Sequence, residues 1–153
     1  MGDGILMSER ALRLFEKEAM GGIAFSHPVR IVRALRLRRY REPIGEIPPY
    51  FYVRLSRTGA AIDYEASGLV STGGPSGCPE CHSFRGVMQK LDRLEILPGT
   101  WTGEDFFRIR GFTGDQCITD RAHAVFKANN ITGVKWIRNT EVMYRATSYK
   151  PNT

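Results

Sequence analysis

The chain states one pattern twice. Residues 8–25 begin Ser-Glu-Arg-Ala-Leu-Arg-Leu-Phe and residues 119–136 begin Thr-Asp-Arg-Ala-His-Ala-Val-Phe, and the two stretches align without a gap at a constant offset of 111 positions. Ser8 falls on Thr119, Arg10 on Arg121, Ala11 on Ala122, Phe15 on Phe126, Gly22 on Gly133, Ile23 on Val134 and Phe25 on Trp136. Each match has a structural meaning. A hydroxyl residue caps a helix start and an acid follows it in the first turn. An aromatic lies on the buried face, a glycine ends the helix, and an alternating apolar pair opens a strand. Two copies this far apart are not a solenoid, whose repeats run roughly 20–50 residues. They predict two matched strand-helix-strand half-units, near residues 5–26 and 116–137, framing a middle segment of residues 27–105.

That skeleton predicts an α+β fold in which the half-units pack with antiparallel strands and a CxxC turn, all in one domain over residues 1–153. A chain of 153 residues with 42% hydrophobic and 25% charged residues is long enough to bury most of its apolar surface without staples. Ile5-Leu6-Met7 reads as a buried strand. Ser8 caps a helix of roughly residues 9–20, with Ala11, Leu12, Phe15 and Ala19 as its apolar stripe and Gly21-Gly22 as its stop. Ile23 and Phe25 start a strand that His27-Pro28 interrupts. Leu35–Arg38 alternates with period two, and so does Tyr50–Leu55, which places Phe51, Val53 and Leu55 on one side; the two segments read as an antiparallel pair. Ala60–Tyr64 reads as another short strand, residues 67–77 as a glycine-rich loop, and Trp101–Phe107 as a loop entering a short helix or turn. The second helix runs to about Asn129, followed by strands at Val134–Ile137 and Val142–Arg145 and a loose tail at Tyr149–Thr153.

The net charge of +6 is local. Arg30, Arg33, Arg36, Arg38, Arg39 and Arg41 supply it within twelve residues that contain no acid. A bland reading makes this run the solvated face of a strand, its charges discouraging edge-to-edge pairing. A functional reading makes it an anion-binding or partner-binding surface, with Arg33, Arg36, Arg38 and Arg39 beside the aromatics Tyr50 and Tyr52, which can stack. Cys78-Pro79-Glu80-Cys81 is half of a zinc knuckle, and a structural zinc normally takes four protein ligands. His82 adjoins the pair, and Cys117 or His27 could contribute, none at a diagnostic spacing. A plain or vestigial turn, a metal site, and a redox or partner contact all stay open for it. The three cysteines are too few and odd in number for a disulfide scaffold, which favours a cytoplasmic, reducing location. No run approaches the eighteen or so apolar residues of a membrane span. No Ser-His-Asp grouping, P-loop or dinucleotide fingerprint is present, so no residue is assigned a catalytic role. Ser8 and Thr119 sit where caps belong, Glu104 and Asp105 read as loop acids, and Trp101, Phe106, Phe107 and Trp136 read as core.

In this order the motifs resemble a known group. Ile5–Ala11, the basic stretch, Cys78-Pro79-Glu80-Cys81, Glu104-Asp105-Phe106-Phe107, Ile118-Thr119-Asp120-Arg121 and Gly133-Val134-Lys135-Trp136 are similar to the myxobacterial double-CxxCG motif proteins, a group that includes immunity proteins against swarm-interaction toxins. The likeness covers most of the chain. It departs in two places: one CxxC pair stands where the family has two, and His82 stands where the glycine following the second cysteine is expected. The family's upstream pair would fall before residue 1, which leads to the expectation of a missing N-terminal segment. The resemblance implies a non-enzymatic, cytoplasmic immunity-type protein that neutralises a cognate protein toxin by binding it. Cofactors are then none, or one structural zinc held through Cys78, Cys81 and His82. The second reading is a basic nucleic-acid or anion-binding module with a zinc-knuckle remnant. Neither reading calls for a membrane partner. Specificity is expected in residues 30–105, between the copies.

Overall fold

The computed structural model describes residues 4–32, 46–56, 59–74, 78, 82–83, 85–112 and 116–146. Among them are two α-helices and antiparallel sheets of three, three and two strands, a small α+β fold. Strand β1 (Gly4–Ser8) leads directly into helix α1 (Glu9–Lys17), and β2 (Ile23–Val29) follows it. Strand β3 (Tyr50–Leu55) lies between β1 and β2, antiparallel to both, so Tyr52 faces Leu6 on one side and His27 on the other. Strands β4 (Val70–Ser71) and β5 (Met88–Leu91) belong to the second sheet. Strands β6 (Phe106–Phe107) and β7 (Cys117–Ile118) form the third, and β7 feeds helix α2 (Asp120–Ala128). A 3-10 turn at Asn139–Glu141 precedes β8 (Tyr144–Arg145), which completes the second sheet beside β5.

The repeat is realised to the level of single hydrogen bonds. Both helices are nine residues long, and their bounds differ by the offset of the repeat. The Ala11 N–H donates to Ser8 Oγ, and the Ala122 N–H donates to Thr119 Oγ1, so both hydroxyls are caps. At the other end both helices close with the same pair of bonds. The Ala19 N–H donates to the Glu16 carbonyl and the Met20 N–H to that of Phe15; the Asn130 N–H donates to Lys127 and the Ile131 N–H to Phe126. This is the Schellman closure, and it puts Ala19 at φ +47° and Asn130 at φ +51°. The first helix therefore ends at Lys17, three residues before the expected boundary at Met20. The left-handed residue that stops it is Ala19, before either glycine.

The helices lie side by side and antiparallel. The Arg10 guanidinium donates to the carbonyl of Asn129, the C-cap of α2, and the Arg121 guanidinium donates to the carbonyl of Glu18, the C-cap of α1, at 3.3 Å. Arg10 and Arg121 are repeat equivalents, as are Glu18 and Asn129, so the half-units are related by an approximate twofold. Each cation meets the negative end of the other helix's dipole. Ala11 and Ala122 are both buried, and Phe15 and Phe126 are both 3% exposed. These residues share one core with Met7, Val53, Leu55 and Phe106, and burying each phenylalanine there contributes about 2–3 kcal/mol. A second core joins Ala60, Ile62, Leu69, Leu91, Phe107 and Ile109. Successive strand residues point to opposite faces, so β6 sends Phe106 into the first core and Phe107 into the second, where the expectation was a loop entering a helix or turn.

Strand β6 also explains where the symmetry stops. Ile118 pairs with Phe106 as its equivalent Met7 pairs with Phe51, so β6 is the counterpart of β3. The edge of β3 away from β1 carries β2. The corresponding edge of the β6 segment is already filled: the Phe106 N–H donates to Gly21, the Arg110 N–H to Ala60, and the Ile62 N–H to Arg110. Residues 134–137, the counterparts of the start of β2, are accordingly not a strand, contrary to expectation. Trp136 folds back instead onto Phe126 and His123, with ring centroids 6.1 and 5.6 Å away.

Other expectations change for similar reasons. The strand through His27-Pro28 is unbroken, because β2 is an edge strand and a proline there costs no ladder bond. Strand β3 pairs with β1 and β2; Leu35–Arg38, its expected partner, lies in residues 33–45, outside the described residues. Ala60–Ile62 is fully buried but forms only isolated bridges, Ala61 to Arg110 and Ile62 to Ile96. The glycine-rich stretch 67–77 contains β4, and the expected final strand is confined to Tyr144–Arg145. The tail from Tyr149 lies outside the described residues. Among the described residues no helix is long and apolar enough to cross a membrane.

Candidate interaction surface

The outer face of the first sheet carries side chains that the fold does not need. Met7, Val53 and Leu55 point into the core, so by alternation Leu6, Tyr50, Tyr52 and Arg54 lie on the other side. On β2 the register shifts between Ile23 and Phe25: Ile23 pairs with Leu55 and Phe25 with Arg54. This bulge at Ala24 matters because one extra residue moves everything beyond it to the opposite face. Ile23 stays against the core, while Phe25 turns outward with His27. In a regular strand the alternating pair Ile23 and Phe25 would share one face; here Phe25 is 43% exposed. Leu6, expected in a buried run, is 64% exposed.

Cross-strand neighbours on this face form two adjoining rows, Leu6–Tyr52–His27 and Gly4–Arg54–Phe25. The His27 ring lies 6.0 Å from that of Phe25 and nearly parallel to it, and 5.2 Å from that of Tyr52. The Arg54 guanidinium sits 5.8 Å over the Phe25 ring, a cation–π contact that fixes its direction. Gly4 is required beneath Tyr52, because a Cβ there would stand 2.4 Å from the tyrosine ring. The result is a continuous patch of aliphatic, aromatic and cationic groups.

Of the partner-binding residues expected from the sequence, Tyr50 and Tyr52 lie on this face, whereas Arg33, Arg36, Arg38 and Arg39 lie outside the described residues. Leu6, Phe25 and Arg54 were not singled out. No sequence signal marks Phe25, which matches Trp136 in the repeat; only the structure separates them, Trp136 packing against the core and Phe25 not.

Of the expected metal residues, Cys78 and His82 are among the described ones. Cys78 is a free, half-buried thiol in a reversed turn: its N–H donates to Ser83 at 2.9 Å and its carbonyl accepts from the His82 N–H at 2.8 Å. His82 adopts φ +54°, the left-handed conformation for which glycine is the ordinary residue. Gly111 packs against it so closely that a Cβ would stand 1.8 Å from the His82 carbonyl oxygen. Cys81 lies outside the described residues. Cys117 packs on the second core and His27 belongs to the aromatic row. Among the described residues no group of three or more metal-ligating side chains forms.

The most strongly held carboxylate is structural. Asp105 was expected to be a loop acid, but its side chain is only 8% exposed. It accepts from Arg121 Nε at 3.0 Å, from Arg121 Nη2, from Thr119 Oγ1 at 2.7 Å and from the Gly21 N–H at 3.2 Å. These bonds tie the end of the first repeat to the start of the second. Arg121, then the Thr119 hydroxyl and the Gly21 N–H, hold the Asp105 carboxyl below its usual range against the opposing effect of burial. Two surface depressions, one lined by Arg10, Arg13, Leu14, Lys17 and Asn129 and one by Glu65, Ala66, Gly68, Asp92, Arg93 and Thr140, lie elsewhere on the molecule. No protein-family model matches the chain, and no curated protein or solved structure matches it.

Proposed function

We propose that this chain is a non-enzymatic, immunity-type binding protein that neutralises a cognate protein toxin by covering part of its surface. The observation that carries the reading is the outer face of β1, β3 and β2. A bulge turns Phe25 out of the core, and the aromatic and cationic row that results has no role in the packing of either core. Exposed aromatic and arginine side chains grouped on a rigid sheet are the groups that dominate binding energy at protein interfaces. The resemblance to the double-CxxCG group supplies the kind of partner, and the cytoplasm is the proposed place of action.

The test is co-expression with the product of the neighbouring gene, since toxin and immunity genes usually sit together. Cells carrying both should survive, and the purified proteins should migrate as a stoichiometric complex on size-exclusion chromatography with light scattering. Loss of viability with no complex would overturn the proposal.

A further inference from the structure

Resting on the binding-protein reading, we infer that the outer face of the first sheet docks a protein segment presenting a carboxylate flanked by apolar side chains. The carboxylate is received by Arg54 and the apolar groups by Leu6 and Phe25. The first argument is charge. Gly4–Ser8, Ile23–Val29 and Tyr50–Leu55 contain no Asp or Glu, while Arg54 stands on the face and Arg30 follows β2 directly. Among the described residues no carboxylate pairs with Arg54, whose recorded partner is the Phe25 ring. A guanidinium held over a ring is oriented in advance, so less side-chain entropy is lost when an acid binds it.

The second argument separates a protein from a nucleic acid. A single strand needs open aromatic faces for its bases and several cations tracking its phosphates. Here Phe25 already carries Arg54, and His27 is set against both Phe25 and Tyr52. Within the three strands Arg54 is the one lysine or arginine. Leu6, 64% exposed, is aliphatic and offers no stacking surface. An acid beside leucine- or phenylalanine-like groups satisfies every element of this patch.

The test uses the full chain as bait against a phage-displayed random dodecapeptide library. Sequences selected by the wild type should be enriched in Asp or Glu adjacent to Leu, Phe or Trp. Arg54→Glu should reverse the preference towards Lys and Arg, an inversion that loss of structure would not produce. Leu6→Asp, at an exposed site that leaves the fold intact by circular dichroism, should lower retention of the wild-type peptides at least about tenfold, the equivalent of one modest buried contact. The inference is overturned if Arg54→Glu selects the same acidic peptides, if Leu6→Asp retains them fully, or if a twelve-nucleotide oligothymidylate displaces them and shifts the Phe25 and Tyr52 resonances. Should any of these occur while co-expression still protects cells, the immunity reading survives and its interface lies on another face.

Discussion

The bond between the two repeats can be tested through one carboxylate. Replacing Asp105 by alanine removes four acceptor contacts at once: two from Arg121, one from Thr119 and one from the Gly21 N–H. Hydrogen bonds to a charged group contribute about 1.5–3 kcal/mol each when well shielded. The contribution here is smaller, because the Arg121 side chain is 54% exposed and water screens the ion pair. The two contacts on the buried side are not screened in this way, and losing them leaves the Gly21 N–H without its side-chain acceptor. The Thr119 hydroxyl also loses the group that orients it as the α2 cap. Together these effects give an expected loss of about 3 kcal/mol, which for a chain of this size lowers Tm by roughly 6–12 °C.

The assay is urea unfolding followed by circular dichroism and tryptophan fluorescence, with the slope m unchanged so that the shift in midpoint reads as stability. Arg10→Ala is the internal control. It removes the symmetry-related contact to the Asn129 carbonyl, but among the described residues Arg10 has no buried carboxylate partner, so its midpoint should stay close to the wild type. If Asp105→Ala costs less than about 1 kcal/mol, or if Arg10→Ala costs as much, Asp105 does not bind the half-units together and the reasoning fails.

Three further outcomes follow from the same geometry. The Asp105 carboxyl is held below its usual range in the folded chain, so its stabilisation is full above the unfolded value of about 3.9 and is lost as pH falls through the folded one; Asp105→Asn should flatten the acid limb of stability measured between about pH 5 and 2. Ala19→Gly should raise stability by about 0.5–1 kcal/mol in urea unfolding, since Ala19 sits at φ +47°, while Asn130→Gly at φ +51° should gain less because asparagine tolerates that conformation. Gly22→Ala should cost more than about 3 kcal/mol or abolish soluble expression, its Cβ falling 1.8 Å from the Phe106 carbonyl oxygen, whereas the equivalent Gly133→Ala has open space and should cost only the backbone strain of about 1 kcal/mol.

The legible part of this fold is the part set by local chemistry. Each helix is specified within about a dozen residues by its cap and its apolar stripe, which sit at equivalent positions in the two copies, whereas the closure of the first at Ala19 is masked in sequence by the glycines that follow it. Long-range choices were not legible. Asp105 looks like any loop acid because its partners stand 16 and 84 residues away. Strands of two residues such as β4 and β6 carry no period to detect. Residues 134–137 have the apolar alternation of a strand and fail to become one because Ala60–Ile62 fills the edge they would need. The candidate surface was half visible through Tyr50 and Tyr52, but Phe25 depends on a bulge, and a bulge is a property of how two strands meet.

That bulge also relocates the expected division of labour. Specificity was expected between the copies, in residues 30–105, with the repeat as scaffold alone. The face described above takes Tyr52 and Arg54 from that middle segment but Leu6 and Phe25 from the first half-unit, with His27 just past its end. The two copies can diverge in this way because their cores are closed differently. In the second half-unit Trp136 returns to cover Phe126. In the first, β3 supplies Val53, Leu55 and Phe51 to the core, so the equivalent aromatic is not needed inside. A packing duty carried by one residue in one copy is carried by a strand in the other, and the released side chain faces the solvent beside an arginine. Removing the released side chain should therefore remove the surface without harming the fold. Phe25→Ser takes away that aromatic and the ring beneath the Arg54 guanidinium, and should weaken acidic-peptide selection at least about tenfold while leaving α1, α2 and their caps intact by amide hydrogen exchange. Retained selection in Phe25→Ser would mean that the outward aromatic is no part of the binding face.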